Sequence, residues 1–318
     1  MQKFWGAAAM IAATLLWGFA FSAQSSGMKF IEPVVFTAVR SMIAAAAMTV
    51  LVVIFDLFRE KRLTLWGRAV RPEDKRVLLT GGRWCGVILA VASTVQQYGL
   101  KYTTAGKTGF LTALYIVIVP VLGILFKRKT SPVLWFAVIL AMAGSYLLCG
   151  GIDAVGQGEI LVITCALIYS FHILVIDRYA PKCDCVRLSC IQFITASVLT
   201  AAGSFCFRDP WIWKNIRSAL PFLLFCGVGS GALAFTLQMV CQKYLHPVTA
   251  TLLMSLESVF AVFGGWIYLN EVLTPRELSG CAVIFLAVIL SQLPVRPGLF
   301  RRTQAADPQS LTRENGKP

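Results

Sequence analysis

Charge is scarce in this sequence, and the groups that most often do chemistry are scarcer still. Charged side chains supply 14% of the 318 residues and hydrophobic ones 57%, whereas soluble domains carry roughly 25% charged residues. That balance excludes an ordinary soluble domain. The two histidines, His172 and His246, stand far apart and outside any H-E-x-x-H pattern, which argues against a zinc hydrolase. No G-x-S-x-G elbow is present either. The G-x-x-x-x-G-K-[ST] loop that cradles nucleotide phosphates is missing, which removes ATP as a direct energy source. There are ten cysteines, but only Cys183-Asp184-Cys185 brings two together. A single pair without histidines makes poor zinc ligation, and thiols scattered through apolar runs behave as small apolar side chains. The chain is therefore read as a non-enzyme that needs no cofactor and no metal.

What is plentiful is long apolar sequence. About ten runs approach the length of a bilayer crossing: Phe4 to Ser22, Pro33 to Phe58, Arg83 to Tyr102, Thr108 to Phe126, Pro132 to Gly150, Glu159 to Ile176, Val186 to Phe207, Leu220 to Val240, Pro247 to Leu269 and Leu278 to Leu293. The fold class is an all-α membrane protein with ten transmembrane helices. With the N-terminus inside, Lys and Arg on one set of loops outnumber those on the other about three to one, the basic loop 59–82 contributing most. The positive-inside rule then puts both termini in the cytoplasm of a multi-pass plasma-membrane protein. The net charge of +14 reports this topology, and nucleic acid is not an expected partner. Lys3 before the first run and the weak cleavage site at Phe21-Ser22-Ala23 imitate a signal peptide, but the run is long for one and is read as a retained span. Residues 297–318 read as a disordered cytoplasmic tail.

An internal repeat makes the sequence more specific. Thr94, Gln96, Lys101 and Tyr102 form T-x-Q-x4-K-Y, and Thr236, Gln238, Lys243 and Tyr244 repeat it at an offset of 142. The same offset pairs Leu111 with Leu253, Leu114 with Leu256 and Tyr115 with Glu257. For the first two spans of each half the offset is 152, pairing Trp17 with Tyr169, Phe19 with Phe171 and Arg40 with Gln192. The ten-residue difference falls where the basic loop after span two exceeds its counterpart around Arg208 to Arg217. Residues 1–152 and 153–296 are thus expected to be two repeats of five spans each. Five is odd, so the second repeat must cross the membrane in the opposite sense, as in many secondary transporters.

Leu16-Trp17-Gly18-Phe19, Pro33 with Phe36-Thr37-Ala38-Val39-Arg40, Tyr102-Thr103-Thr104-Ala105 and Pro120 follow one another in the first half. Gly158-Glu159, Leu269-Asn270-Glu271-Val272-Leu273-Thr274 and Gly280 follow in the second. In this order they resemble the drug/metabolite transporter superfamily, in its ten-span branch with two EamA domains, over nearly all of Phe4 to Leu293. The chain departs from that pattern at Lys127-Arg128-Lys129, where an acidic turn is common, and at Ser258, where a proline is. The resemblance implies a multi-pass carrier, often an exporter of amino acids, other metabolites or toxic compounds.

Among candidate site residues Glu257 leads, because it lies about ten residues, hence about 15 Å, from either end of its run. An acid at that depth is expected to face a cavity, a partner or a solute, and can serve as cation ligand or proton carrier. Arg40, roughly 10 Å of helix from the end of span two, offers a fork for a carboxylate, or else a brace between helices. Tyr115, the repeat-mate of Glu257, can supply a hydroxyl or simply pack. Gln96, Gln238 and Gln192 can hold a polar solute or act as helix glue, and Gln97 carries the same ambiguity. His172 can shuttle protons or merely bond a backbone carbonyl. Trp17, with Phe19, Tyr169 and Phe171, can wall a solute site or pack against other helices. Gly227 and Gly231 form a G-x-x-x-G pair for close helix approach, and Glu271 needs no explanation beyond an external turn.

These readings favour a secondary transporter that exports a small amino-acid-like zwitterion by alternating access, with a proton gradient as the natural energy source. An importer and an exporter of toxic cations are the alternatives, and a channel or membrane enzyme ranks behind them. The partners are a small-molecule solute and membrane lipids, with monomer and homodimer left equally open.

Overall fold

The computed structural model describes residues 2–61, 72–125, 131–148, 156–206, 212–269, 272 and 274–292. The expectations at Arg62 to Arg71, Lys127-Arg128-Lys129, Asn270-Glu271 and the 297–318 tail lie outside them. Fourteen α-helices are described: α1 Gln2–Gly27, α2 Pro33–Phe55, α3 Pro72–Tyr102, α4 Ala105–Thr112, α5 Tyr115–Leu125, α6 Pro132–Leu148, α7 Gln157–Tyr179, α8 Cys185–Cys206, α9 Trp213–Ser218, α10 Leu220–Leu224, α11 Ala234–Gln242, α12 Pro247–Met254, α13 Leu256–Leu269 and α14 Pro275–Gln292. π-Helical segments follow α2 (Asp56–Glu60) and join α10 to α11 (Phe225–Leu233). Among the described residues eight helical stretches are long and apolar enough to cross a bilayer, and the shorter apolar helices Pro132–Leu147 and Leu278–Ser291 bring the number to ten.

The inversion is visible in which helices touch. The α1 helix packs along the span built from α10, its π segment and α11, and the corresponding helix of the second half, α7, packs along α3. Likewise α1 lies on α13, while α7 lies on α4 and α5. The α2–α8 and α6–α14 pairs each join a helix to its own repeat-mate. Reciprocal contacts and self-pairs of this kind are what a pseudo-two-fold axis in the membrane plane produces. The chain is a membrane protein of two inverted five-helix repeats.

The spans predicted as unbroken runs at Thr108 to Phe126 and Pro247 to Leu269 are each interrupted, at Ala113-Leu114 and at Ser255, positions again 142 apart. The breaks are tight turns: Ile116 N–H donates to Ala113 O at 2.9 Å and Ser258 N–H to Ser255 O at 3.1 Å. Carbonyls that lose their α-helical partner must be satisfied inside the protein. The Tyr115 hydroxyl reaches Met254 O at 3.2 Å, and the Ser258 hydroxyl adds a second donor at 3.2 Å to Gly109 O, which keeps its bond from Ala113 N–H, so each half supplies a donor to the other's broken span.

Two boundaries also move: the first span continues past Ser22 to Gly27, and the helix of span three begins at Pro72 rather than Arg83. Span two runs from Pro33 to Phe58 as expected, its last turn π-helical from Asp56. Asp56 is fully buried and pairs with Arg187 at the start of α8, which removes that arginine from the loop cations. The α1 helix belongs to the core, contributing Met10, Ala13 and Trp17 to the largest apolar cluster. It lies close on α13 because Gly18 has no Cβ: one built there would stand 2.4 Å from Phe260 Cβ and 2.7 Å from Ala261 N. Gly18→Ala is expected to cost about 1–3 kcal/mol through overpacking. Gly106→Ala, whose Cβ meets no atom within 4 Å, should be neutral or mildly stabilising. Paired thermal-unfolding curves in detergent would check the contrast.

Candidate functional site

Helical spacing gathers one mixed wall, largely apolar with a few polar groups. In α1, Trp17, Phe21 and Gln24 fall on one face at i, i+4 and i+7, and in α3 Leu89, Ser93 and Gln96 do the same. Their repeat-mates face the same space: Tyr169 and Ile173 from α7, and Gly231, Phe235 and Gln238 from the π segment and α11. Thr112 and Tyr115 at one helix break oppose Met254 and Glu257 at the other. Arg40 and Ser41 enter from α2. Together these residues line an open cavity of about 700 Å³, counting its mouth and the solvent space in it. Because repeat-mates line it, the cavity lies on the pseudo-two-fold axis. The mates have nevertheless diverged chemically, Ser93 against Phe235, Thr112 against Met254 and Tyr115 against Glu257.

Of the residues singled out in the sequence, Trp17, Arg40, Gln96, Tyr115, His172, Gln238 and Glu257 all line this one cavity. Gln192 lies behind it, its Oε1 2.9 Å from His172 Nε2. Glu257 is 7% exposed and sits near the middle of the span Pro247–Tyr268. The Tyr115 hydroxyl is 3.0 Å from Glu257 Oε2 as well as 3.2 Å from Met254 O, so its one proton stands between two acceptors. Arg40 donates through Nη1 to Gln24 Oε1 at 2.9 Å. Among the described residues no carboxylate pairs with Arg40 and no cation with Glu257.

The glutamines divide. Gln96 is used on both sides, donating to Thr112 Oγ1 at 3.1 Å and accepting from the Tyr169 hydroxyl at 3.5 Å. Gln238 has only a long contact to Met254 Sδ at 4.0 Å, and its Oε1 has no partner among the described residues. Gln97 is wholly buried and away from the cavity lining. Phe19 stacks edge-on with Tyr268 instead of facing the cavity, and Phe171 is exposed on the outside of the bundle.

Trp17 is held by its indole N–H, which donates to Ser230 O at 3.0 Å, inside the π segment. A widened turn of this kind frees carbonyls for outside donors and is common at functional sites. Its ring meets Phe235 at 5.0 Å, and Phe235 in turn meets His172 at 5.8 Å and Phe193 at 5.7 Å, giving an aromatic wall. Sequence reasoning passed over Gln24, Ser230, Phe235 and Thr112. Phe235 and Thr112 could have been found, since the 142 offset ties them to Ser93 and Met254.

A family model described as the EamA-like transporter family matches residues 4–150 and again residues 156–293. The chain belongs to the EamA-like transporter family. An "Uncharacterized transporter" of Archaeoglobus fulgidus is 29% identical over 88% of this chain and 83% of its own length. The "Uncharacterized transporter YoaV" of Bacillus subtilis is 21% identical over 89% and 94%. The "Threonine/homoserine exporter RhtA" of Escherichia coli is 30% identical over 51% of this chain and 52% of its own. A solved crystal structure with 18% identity matches the fold with a TM-score of 0.71, covering 90% of this chain and 95% of that one. This EamA-like protein is thus a transporter with the two-repeat architecture of its family.

Proposed function

We propose that this transporter exports a small amino-acid-like zwitterion by alternating access, with the proton gradient as its energy source and Glu257 as the group that exchanges the proton. The observation that carries the reading is one cavity bearing one cation and one acid, Arg40 and Glu257, neither matched by an opposite charge among the described residues. A zwitterion complements both, its carboxylate on the guanidinium and its ammonium on the carboxylate. A buried ion unpaired in protein is costly, so a solute that pairs both is favoured over one that pairs neither. The aromatic wall of Trp17, Tyr169 and Phe235 adds a surface suited to an ammonium.

RhtA, which aligns over about half of this chain, is named as an exporter of threonine and homoserine, both zwitterions. The test is a mass-spectrometric comparison of the medium around cells producing the wild type or Glu257→Gln at matched membrane levels. A small set of amino-acid-like metabolites should rise outside only with the wild type. Indistinguishable media would overturn export of ordinary metabolites.

A further inference from the structure

The lysines of the T-x-Q-x4-K-Y repeat are not used by the cavity. Lys101, in the last turn of α3, pairs with Glu32, the residue capping the start of α2, at 2.6 Å. Both side chains are largely exposed, at 41% and 44%. The repeat-mates of these two residues are Lys243, at the end of α11, and Asp184, just before α8. Because the second repeat is inverted, that second acid and lysine occupy the opposite end of the bundle.

There the equivalent contact is not made. Asp184 caps its own helix, accepting from Arg187 N–H at 2.9 Å, with the Arg187 guanidinium 3.6 Å away. Lys243 forms no ion pair among the described residues and sits 6.0 Å from the Tyr244 ring centre. The two charges nonetheless sit on packed elements, since α11, which ends beside Lys243, lies against α8, which Asp184 precedes, and against the turn Ala180–Lys182. Burial pushes the Cys183 thiol up to about 11, the Asp184 carboxylate pushes it the same way, and the Lys243 ammonium pulls it back. Both charges therefore act on the same sulfur.

In an inverted-repeat carrier the second access state arises when each half takes the conformation the other had. Applied to these residues, that exchange opens Glu32–Lys101 and brings Asp184 to Lys243. We propose that Glu32–Lys101 and Asp184–Lys243 are reciprocal ionic latches at the two ends of the bundle, one closed in each access state; this rests on the alternating-access reading. Exposed pairs are individually weak, so each latch biases the equilibrium between states by up to about fivefold without locking either. Transport benefits from that weakness, because a strong latch at one end would hold the carrier there.

The full-length protein, reconstituted in liposomes, can be treated with a zero-length carbodiimide, which joins only carboxylates and amines in contact, and the joined peptides mapped by mass spectrometry. The wild type should yield both the 32–101 and the 184–243 products. Lys101→Gln, a surface change, should abolish the first and raise the second two- to fivefold, and Lys243→Gln should do the reverse. Counterflow of a labelled amino-acid mixture is measured on the same preparations. Absence of the 184–243 product from wild-type and Lys101→Gln protein that still shows counterflow would overturn the latch while leaving the carrier intact. Absence of saturable counterflow from the wild type would overturn the carrier reading itself, and the latch with it.

Discussion

Glu257→Gln should lower efflux of zwitterionic solutes at least tenfold in proteoliposomes and erase the pH dependence of what remains. The amide keeps the size of the carboxyl and can still accept from the Tyr115 hydroxyl, which is 3.0 Å from Oε2 in the native protein. Insertion and packing are therefore preserved, and the loss is chemical. Two functions go together: the amide cannot hold an ammonium through a charge-assisted bond, worth about 1.5–3 kcal/mol or roughly 10–100-fold in affinity, and it cannot release a proton. Initial rates at a series of pH values, with and without an imposed proton gradient, provide the check. Wild-type rates throughout the series would remove Glu257 from the mechanism.

Arg40→Ala should discriminate between solutes. Compounds that carry a carboxylate should bind about 10–100-fold more weakly, through loss of a charge-assisted pair, while amines without a carboxylate should be nearly unaffected. Within the protein Arg40 is braced by Gln24 Oε1; were bracing its whole role, its loss would weaken all solutes alike. Gln24→Ala separates the cases further: it removes the orienting partner but leaves the charge, and should cost less than the arginine itself. Competition of unlabelled amino acids and their decarboxylated amines against one labelled substrate measures both effects.

The architecture was largely legible, because membrane spans and a duplicated pattern are written in composition and spacing. The offset of 142 seen in Gln96 and Gln238 also aligns the two helix breaks. What was hidden is where the chain bends. Neither Ala113-Leu114 nor Ser255 is a glycine or proline, while Pro120, the obvious breaker, lies inside α5. Each bend meets a donor from the other half, Tyr115 or Ser258, and local propensity carries no trace of a partner more than a hundred residues away. Gln24 was missed for a related reason, since Ser22-Ala23-Gln24-Ser25-Ser26 reads as the start of a loop yet is held in helix by packing. Asp56 drew no attention inside the run from Pro33 to Phe58, and its burial against Arg187 depends on a partner 131 residues away.

The single hydroxyl proton of Tyr115 has two claimants, the Glu257 carboxylate and the Met254 carbonyl exposed by the broken span. When the acid is ionised, one of them is left short. Once the acid takes up a proton it becomes a donor to the phenol oxygen, and the phenol is released to satisfy the carbonyl. Loading the carboxyl thus completes a relay of two bonds that ends on the backbone of the bend. If Glu257 exchanges the proton as proposed, its charge and the backbone of the bend are linked through one tyrosine hydroxyl.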